Sequence, residues 1–165
     1  MIKPEKLSKD VVAILNNGMH KEYDHMLAYR GAANWCNNNG FFKAAEYFAK
    51  QAEEEFGHAK KHQNFMTDWN ITPEIPNLDQ PTMEFENLCD VIETIYGNEL
   101  ELFHTYQENS TEVFNSGDIA VFDYLQFFRN AQNESVVTYS DMLSILIGTN
   151  LDDKFQMLML EEKLF

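Results

Sequence analysis

The chain has 165 residues, 44% of them hydrophobic and 13% aromatic, enough to close a core in one domain without disulfides or metals as staples. Seven glycines and four prolines are too few for a turn-rich sheet protein, and a net charge of −15 argues against nucleic acid or anionic lipid as partners. Cys36 and Cys89 form no CxxC pair, which excludes a zinc ribbon or a thiolate iron site, and both are expected as reduced core residues.

The start, Met1 to Asp10, is charged where a signal peptide would be apolar, and no apolar run reaches the ~18 residues of a membrane span. A cytoplasmic protein with no membrane partner is expected. Apolar residues at helical spacing then predict a first helix from about Ser8 to Cys36, closed by a cap and turn at Asn37-Asn-Asn-Gly40. A second helix runs from about Phe41 to Asp68. Pro73, Pro76 and Pro81 follow and forbid regular helix there. The third helix spans about Thr82 to Ser110, the fourth Asp118 to Ile147, and a shorter fifth Leu151 to Leu164. Extended, the middle connection of about 14 residues reaches ~46 Å. A helix of about 27 residues is ~40 Å long, so that connection can run back along the whole bundle. The expected fold is all-α: a four-helix bundle, up-down-down-up with a long crossover, plus a short C-terminal fifth helix.

Within these helices a few polar residues lie on apolar stripes. Glu22 shares its face with Leu15, Met19, Met26 and Tyr29. In Glu53-Glu-Glu-Phe-Gly-His58, the first acid faces out while Glu55 and His58 share a face with Phe48, Ala52, Ala59 and His62. Glu99 falls among Ile92, Ile95, Leu102, Phe103 and Tyr106, and Gln132 among Leu125, Phe128, Val136 and Tyr139. Glu22, Glu55 and Gln132 sit within about a residue of their helix midpoints and Glu99 ~4 Å beyond its own, so the four levels coincide in a bundle of matched helices.

Buried carboxylates cannot all ionise unpaired, because one bare charge costs several kcal/mol. Among basic residues only Arg129 lies near a stripe, on its flank, which makes bound metal the better counterion. Carboxylates with an imidazole at i, i+3 suit a pair of iron ions in a bundle core, although zinc accepts the same donors. A lone Glu-x-x-His is usually a surface coincidence; four helices converging at one level are not. Tyr29 is either a hydrogen-bond or electron donor to the site or a packed core tyrosine.

These residues together resemble the ferritins, most of all the non-haem ferritins of bacteria, across essentially the whole chain. The resemblance is carried by Glu22 with Tyr29, by "EEEFGHA" with Glu55 and His58, by "YGNELE" with Glu99, and by "FDYLQFFRNAQNE" with Gln132. It implies one ferritin-like domain over residues 1–165 and a di-iron centre. Glu22, Glu55 and His58 would hold one iron, Glu55, Glu99 and Gln132 the second, with Glu55 bridging. The implied activity is ferroxidase: Fe(II) is oxidised by dioxygen or hydrogen peroxide and Fe(III) is stored as a hydrated oxide inside a homo-oligomeric cage of two dozen copies.

Departures from the family pattern are equally visible. Glu54 and Glu134 match a third iron site, but Leu15, Ala131 and Ser135 stand where its other acids would be, so such a site is weakened or differently built. Phe56 occupies the place of a haem-binding methionine, so no haem is expected, and Phe127 stands where a tryptophan is usual. Two further readings stay open at this point: a di-iron oxidase or peroxidase that stores no mineral, and a catalytically silent structural subunit of a cage.

Overall fold

The computed structural model describes residues 7–165; Met1 to Lys6, most of the charged start, lie outside it. Five helices and no strand occur among the described residues: α1 (Lys9–Asn38), α2 (Phe42–Asp68), α3 (Leu88–Ser116), α4 (Ile119–Leu146) and α5 (Lys154–Leu164). None is long and apolar enough to cross a membrane. Short polar side chains start most of them by accepting an otherwise orphan backbone N–H: Ser8 for α1, Asn87 for α3, Asp118 for α4 and Asp153 for α5. α2 begins at Phe41, which has no such group. Its Ala44 N–H instead donates to Oε1 of Glu161, at 2.9 Å, so α5 supplies the missing cap from across the fold.

Cross-helix contacts define the topology. His58 and His62 of α2 reach back to Glu22 and Gly18 of α1, while Glu99 and Tyr106 of α3 meet His25 and Glu22, so both α2 and α3 run antiparallel to α1. Arg129 of α4 bonds Ser110 of α3 and Gln132 bonds Glu99, which makes α4 antiparallel to α3. The bundle is therefore up-down-down-up, with α2 and α3 parallel, as its linkers predict.

The crossover, residues 69–87, lies along α1 for most of its length. The Glu74 N–H donates to Oδ1 of Asn16, the carbonyl of Thr82 presses on Gly31, and Phe85 meets the Trp35 ring edge-on at 5.7 Å. This packing corrects the expected start of α3. The chain stays non-helical past Thr82, and the helix begins only at Leu88, where Asn87 caps it. The far end is corrected too: α3 continues past Ser110 with Val113 buried and stops at Gly117, whose φ of 82° is the left-handed conformation glycine adopts without strain. Only Gly117 and Asp118 then separate α3 from α4, a tighter turn than the sequence suggests. Cys36 and Cys89 are buried free thiols, as expected.

Two apolar clusters fill the bundle. One gathers Tyr29, Ala32, Phe48, Ile92, Ile95 and Tyr139 with Met157 of α5; the other gathers Leu15, Met19, Ala59, Met66, Leu102 and Phe128 toward the opposite end. Between them lie the buried polar residues Glu22, His25, Glu55, Glu99 and Gln132.

Candidate metal centre

Four helices deliver this polar layer. Glu22, Glu55 and His58 bring one ligand atom each within 4.8 Å of one another. Nδ1 of His58 lies 2.9 Å from Oε2 of Glu55 and 3.4 Å from Oε2 of Glu22. The expected facing holds: Glu55 is buried, whereas Glu53 and Glu54 beside it are exposed.

Glu99 heads a second group. Its Oε1 accepts the Tyr29 hydroxyl at 2.7 Å and faces Nδ1 of His25 at 3.3 Å, while Oε2 accepts Nε2 of Gln132 at 2.9 Å. All five positions inferred from the stripes thus occupy one level of the bundle, with Tyr29 beside them as a hydrogen-bond donor. Because α3 extends from Leu88 to Ser116, Glu99 comes before the middle of its helix rather than after it.

Three further side chains complete the layer. His25 is 6% exposed and follows Glu22 at the same i, i+3 spacing that joins Glu55 to His58; that spacing was the signal for it. Tyr106, fully enclosed, donates its hydroxyl proton to Oε1 of Glu22. Nε2 of His62 lies 2.9 Å from the same hydroxyl, and since the tyrosine proton is committed to Glu22, His62 donates here. His62 Nδ1 then remains an acceptor with no hydrogen-bond partner among the described residues.

Electrostatics follow from this arrangement. Burial opposes the charge on His58, yet hydrogen bonds and charge from Glu22 and Glu55 prevail and raise its pKa to about 10. Burial likewise opposes charge on His25, and contact with Glu99 raises it above the ordinary value. Of the two linked acids, Glu55 is the more readily protonated: burial and the neighbouring Glu22 charge push it up to about 7. Glu22, despite burial, is held low by the adjacent His58 and Glu55 and by the Tyr106 hydroxyl. Arg129 takes no part, since it bonds Ser110 and the Phe122 carbonyl. The compensating cations among the protein's own groups are therefore two imidazoles, one more than the stripes reveal.

Oε2 of Glu22 accepts no hydrogen bond among the described residues although it is buried. A buried carboxylate oxygen beside a second carboxylate and an imidazole can serve as a metal ligand, and oxygen donors with imidazole suit iron or zinc. The residues present fit such an ion.

Residues 12–146 match the ferritin-like domain family. The chain belongs to the ferritin family. It is 29% identical over 148 residues to a probable bacterial non-heme ferritin-like protein of Haemophilus influenzae, covering 90% of each chain. It is 27% identical over 157 residues to a bacterial non-heme ferritin of Staphylococcus epidermidis, covering 95% of this chain and 93% of that one. An open pore ferritin from Archaeoglobus fulgidus superposes with a TM-score of 0.88 at 22% identity, covering 96% of this chain and 98% of the other. A humanized archaeal ferritin gives 0.89 at 23%, covering 96% and 97%.

Within this ferritin fold the remaining sequence candidates fall outside the layer. Glu54 is exposed on α2, where it accepts a hydrogen bond from Gln51 at 3.2 Å, and Glu134 is exposed on α4. Leu15 is wholly buried in apolar core. Phe127, in the tryptophan's place, meets the His58 ring edge-on at 5.4 Å and so buttresses a candidate ligand.

Proposed function

We propose that the chain is one ferritin-like domain acting as a cytoplasmic iron-storage ferritin with ferroxidase activity. The observation that carries the reading is the mid-bundle layer of Glu22, Glu55, Glu99 and Gln132, all buried, with half-buried His58, in which one oxygen of Glu22 has no hydrogen-bond partner among the described residues. Fe(II) is substrate here. Glu22 and His58 hold one ion, Glu99 and Gln132 the other, and Glu55 between them supplies the shared carboxylate. Two Fe(II) give two electrons to dioxygen, which leaves as hydrogen peroxide after taking two protons. Peroxide is itself a competent oxidant for further Fe(II). Fe(III) then passes into the interior of a homo-oligomeric cage of two dozen copies and accumulates as a hydrated oxide.

Surrounding residues tune these steps. Tyr29 donates to Glu99, which fixes the rotamer of that ligand and keeps a one-electron donor next to the site. Tyr106 holds Glu22 from the other side. The low-dielectric surroundings strengthen every one of these contacts.

The test is aerobic Fe(II) oxidation by metal-stripped protein beside Glu55→Ala, with iron analysis of the protein fraction after gel filtration. Fast oxidation and many irons retained per chain, both lost in the variant, support the reading. Fast oxidation with about two irons retained per chain would identify instead a non-storing di-iron oxidase. Parent and variant behaving alike would sink ferroxidase activity and leave a structural cage subunit.

A further inference from the structure

We propose that His25 is a direct metal ligand of the Glu99 position, so that each of the two ions is bound by its own imidazole. This rests on the di-metal reading above but goes beyond the family resemblance, which assigns only Glu55, Glu99 and Gln132 to the second ion.

Geometry carries the assignment. Two donors on one ion, each ~2.0–2.2 Å from it, lie about 3 Å apart. Nδ1 of His25 lies 3.3 Å from Oε1 of Glu99. That separation falls between the two that His58 makes with its acids, 2.9 and 3.4 Å. The two histidines also share their sequence relation, each three residues after a buried glutamate of the layer, so α1 and α2 present matching Glu-x-x-His faces. Of the side chains bonded to Glu99 among the described residues, only His25 has a ring nitrogen that can ligate a metal: the Gln132 nitrogen is an amide that can only donate a hydrogen bond, and Tyr29 is a phenol.

His25 is also reachable. It lines a cleft of about 330 Å³ between α1, α3 and the crossover, together with Lys21, Asp24, Asp79 and Glu101. From the wall of that cleft its Nδ1 contacts the fully buried Glu99. An alternative role, merely holding Glu99 by a hydrogen bond, is a positioning role and predicts a weaker effect on metal affinity.

The first measurement is a crystal structure of the unaltered protein soaked with Zn(II), which needs no variant to fold. The assignment requires Nδ1 of His25 at roughly 2.0–2.1 Å from the ion bound by Glu99. Zn(II) titration by calorimetry follows, on metal-stripped parent and on His25→Ala. Loss of an outer hydrogen-bond partner costs about 10–100-fold in metal affinity, so loss of a ligand should weaken the second ion by more than about 100-fold. The first ion should be unaffected. A ring turned away from the metal, or a smaller loss, overturns the assignment while two ions per parent chain leave the di-metal reading standing. Fewer than two ions on the parent would overturn both.

Discussion

His62 is wholly buried, stacked on Phe128 at a centroid distance of 4.2 Å, and neutral: burial, aided by the nearby His58 charge, lowers its pKa to about 3. In the unfolded chain it returns to the ordinary value of 6.5. Between those limits the unfolded state binds a proton that the folded state refuses, so stability falls as pH falls. Each unit of pH below 6.5 removes about 1.4 kcal/mol, or about 2.7 kcal/mol by pH 4.5. His62→Gln abolishes this dependence while retaining a donor for Tyr106. It also loses the ring stacking, but that is a constant offset. Denaturant unfolding of both proteins at pH 7 and pH 4.5, at one protein concentration, isolates the histidine, because every other titrating group is common to the two. The variant should lose about 2.7 kcal/mol less than the parent across that interval. Equal losses would refute the claim that His62 is a buried neutral imidazole.

Glu54→Ala should leave the initial rate of Fe(II) oxidation within about twofold of the parent, since Glu54 is exposed and outside the buried layer, whereas Glu55→Ala would remove the carboxylate proposed to be shared. Stopped-flow rates compare them, and equal losses would contradict the facing of α2. Gly31→Ala would place a Cβ 2.6 Å from the Thr82 carbonyl, so the crossover must shift at a cost of roughly 1–3 kcal/mol. Gly97→Ala meets nothing within 4 Å and should stabilise by up to about 1 kcal/mol; thermal unfolding in which Gly31→Ala matched it would dismiss the contact. Glu161→Ala removes the cap of α2 at a cost of about 0.5–2 kcal/mol, read as faster amide exchange in the first turn of α2 and throughout α5. Unchanged protection there would mean that α5 docks by apolar contact alone.

Much of this was legible in the sequence, for local reasons. Helical periodicity and prolines mark the elements, and the stripe residues Glu22, Glu55, His58, Glu99 and Gln132 need only a 3.6-residue repeat to be placed at one level. Helix bounds around the crossover were not legible, because Thr82 to Glu86 stay out of the helix, with Thr82 against Gly31 and Phe85 against Trp35, which lie far away in sequence. Past Ser110 the polar composition resembles a loop, and only the burial of Val113 against the bundle keeps α3 going. Tyr106 reads as core on its own helix; that its hydroxyl serves Glu22 depends on how α1 and α3 pack.

The charge balance of the layer ties these points together. Three buried carboxylates facing a single imidazole would require a metal for the bundle to close, since an unpaired buried charge costs several kcal/mol. Here the acids meet two imidazoles, His58 and His25, both with raised pKa, and Glu55 is itself pushed up to about 7 and so shares a proton with its surroundings. These groups offset part of the charge that the buried carboxylates bring into the layer. On the proposed reading, an arriving cation would replace protons on these groups. That exchange would suit the proposed centre, whose metal is a substrate in transit: the bundle would stay closed between turnovers, and releasing the oxidised ion would not unfold its site.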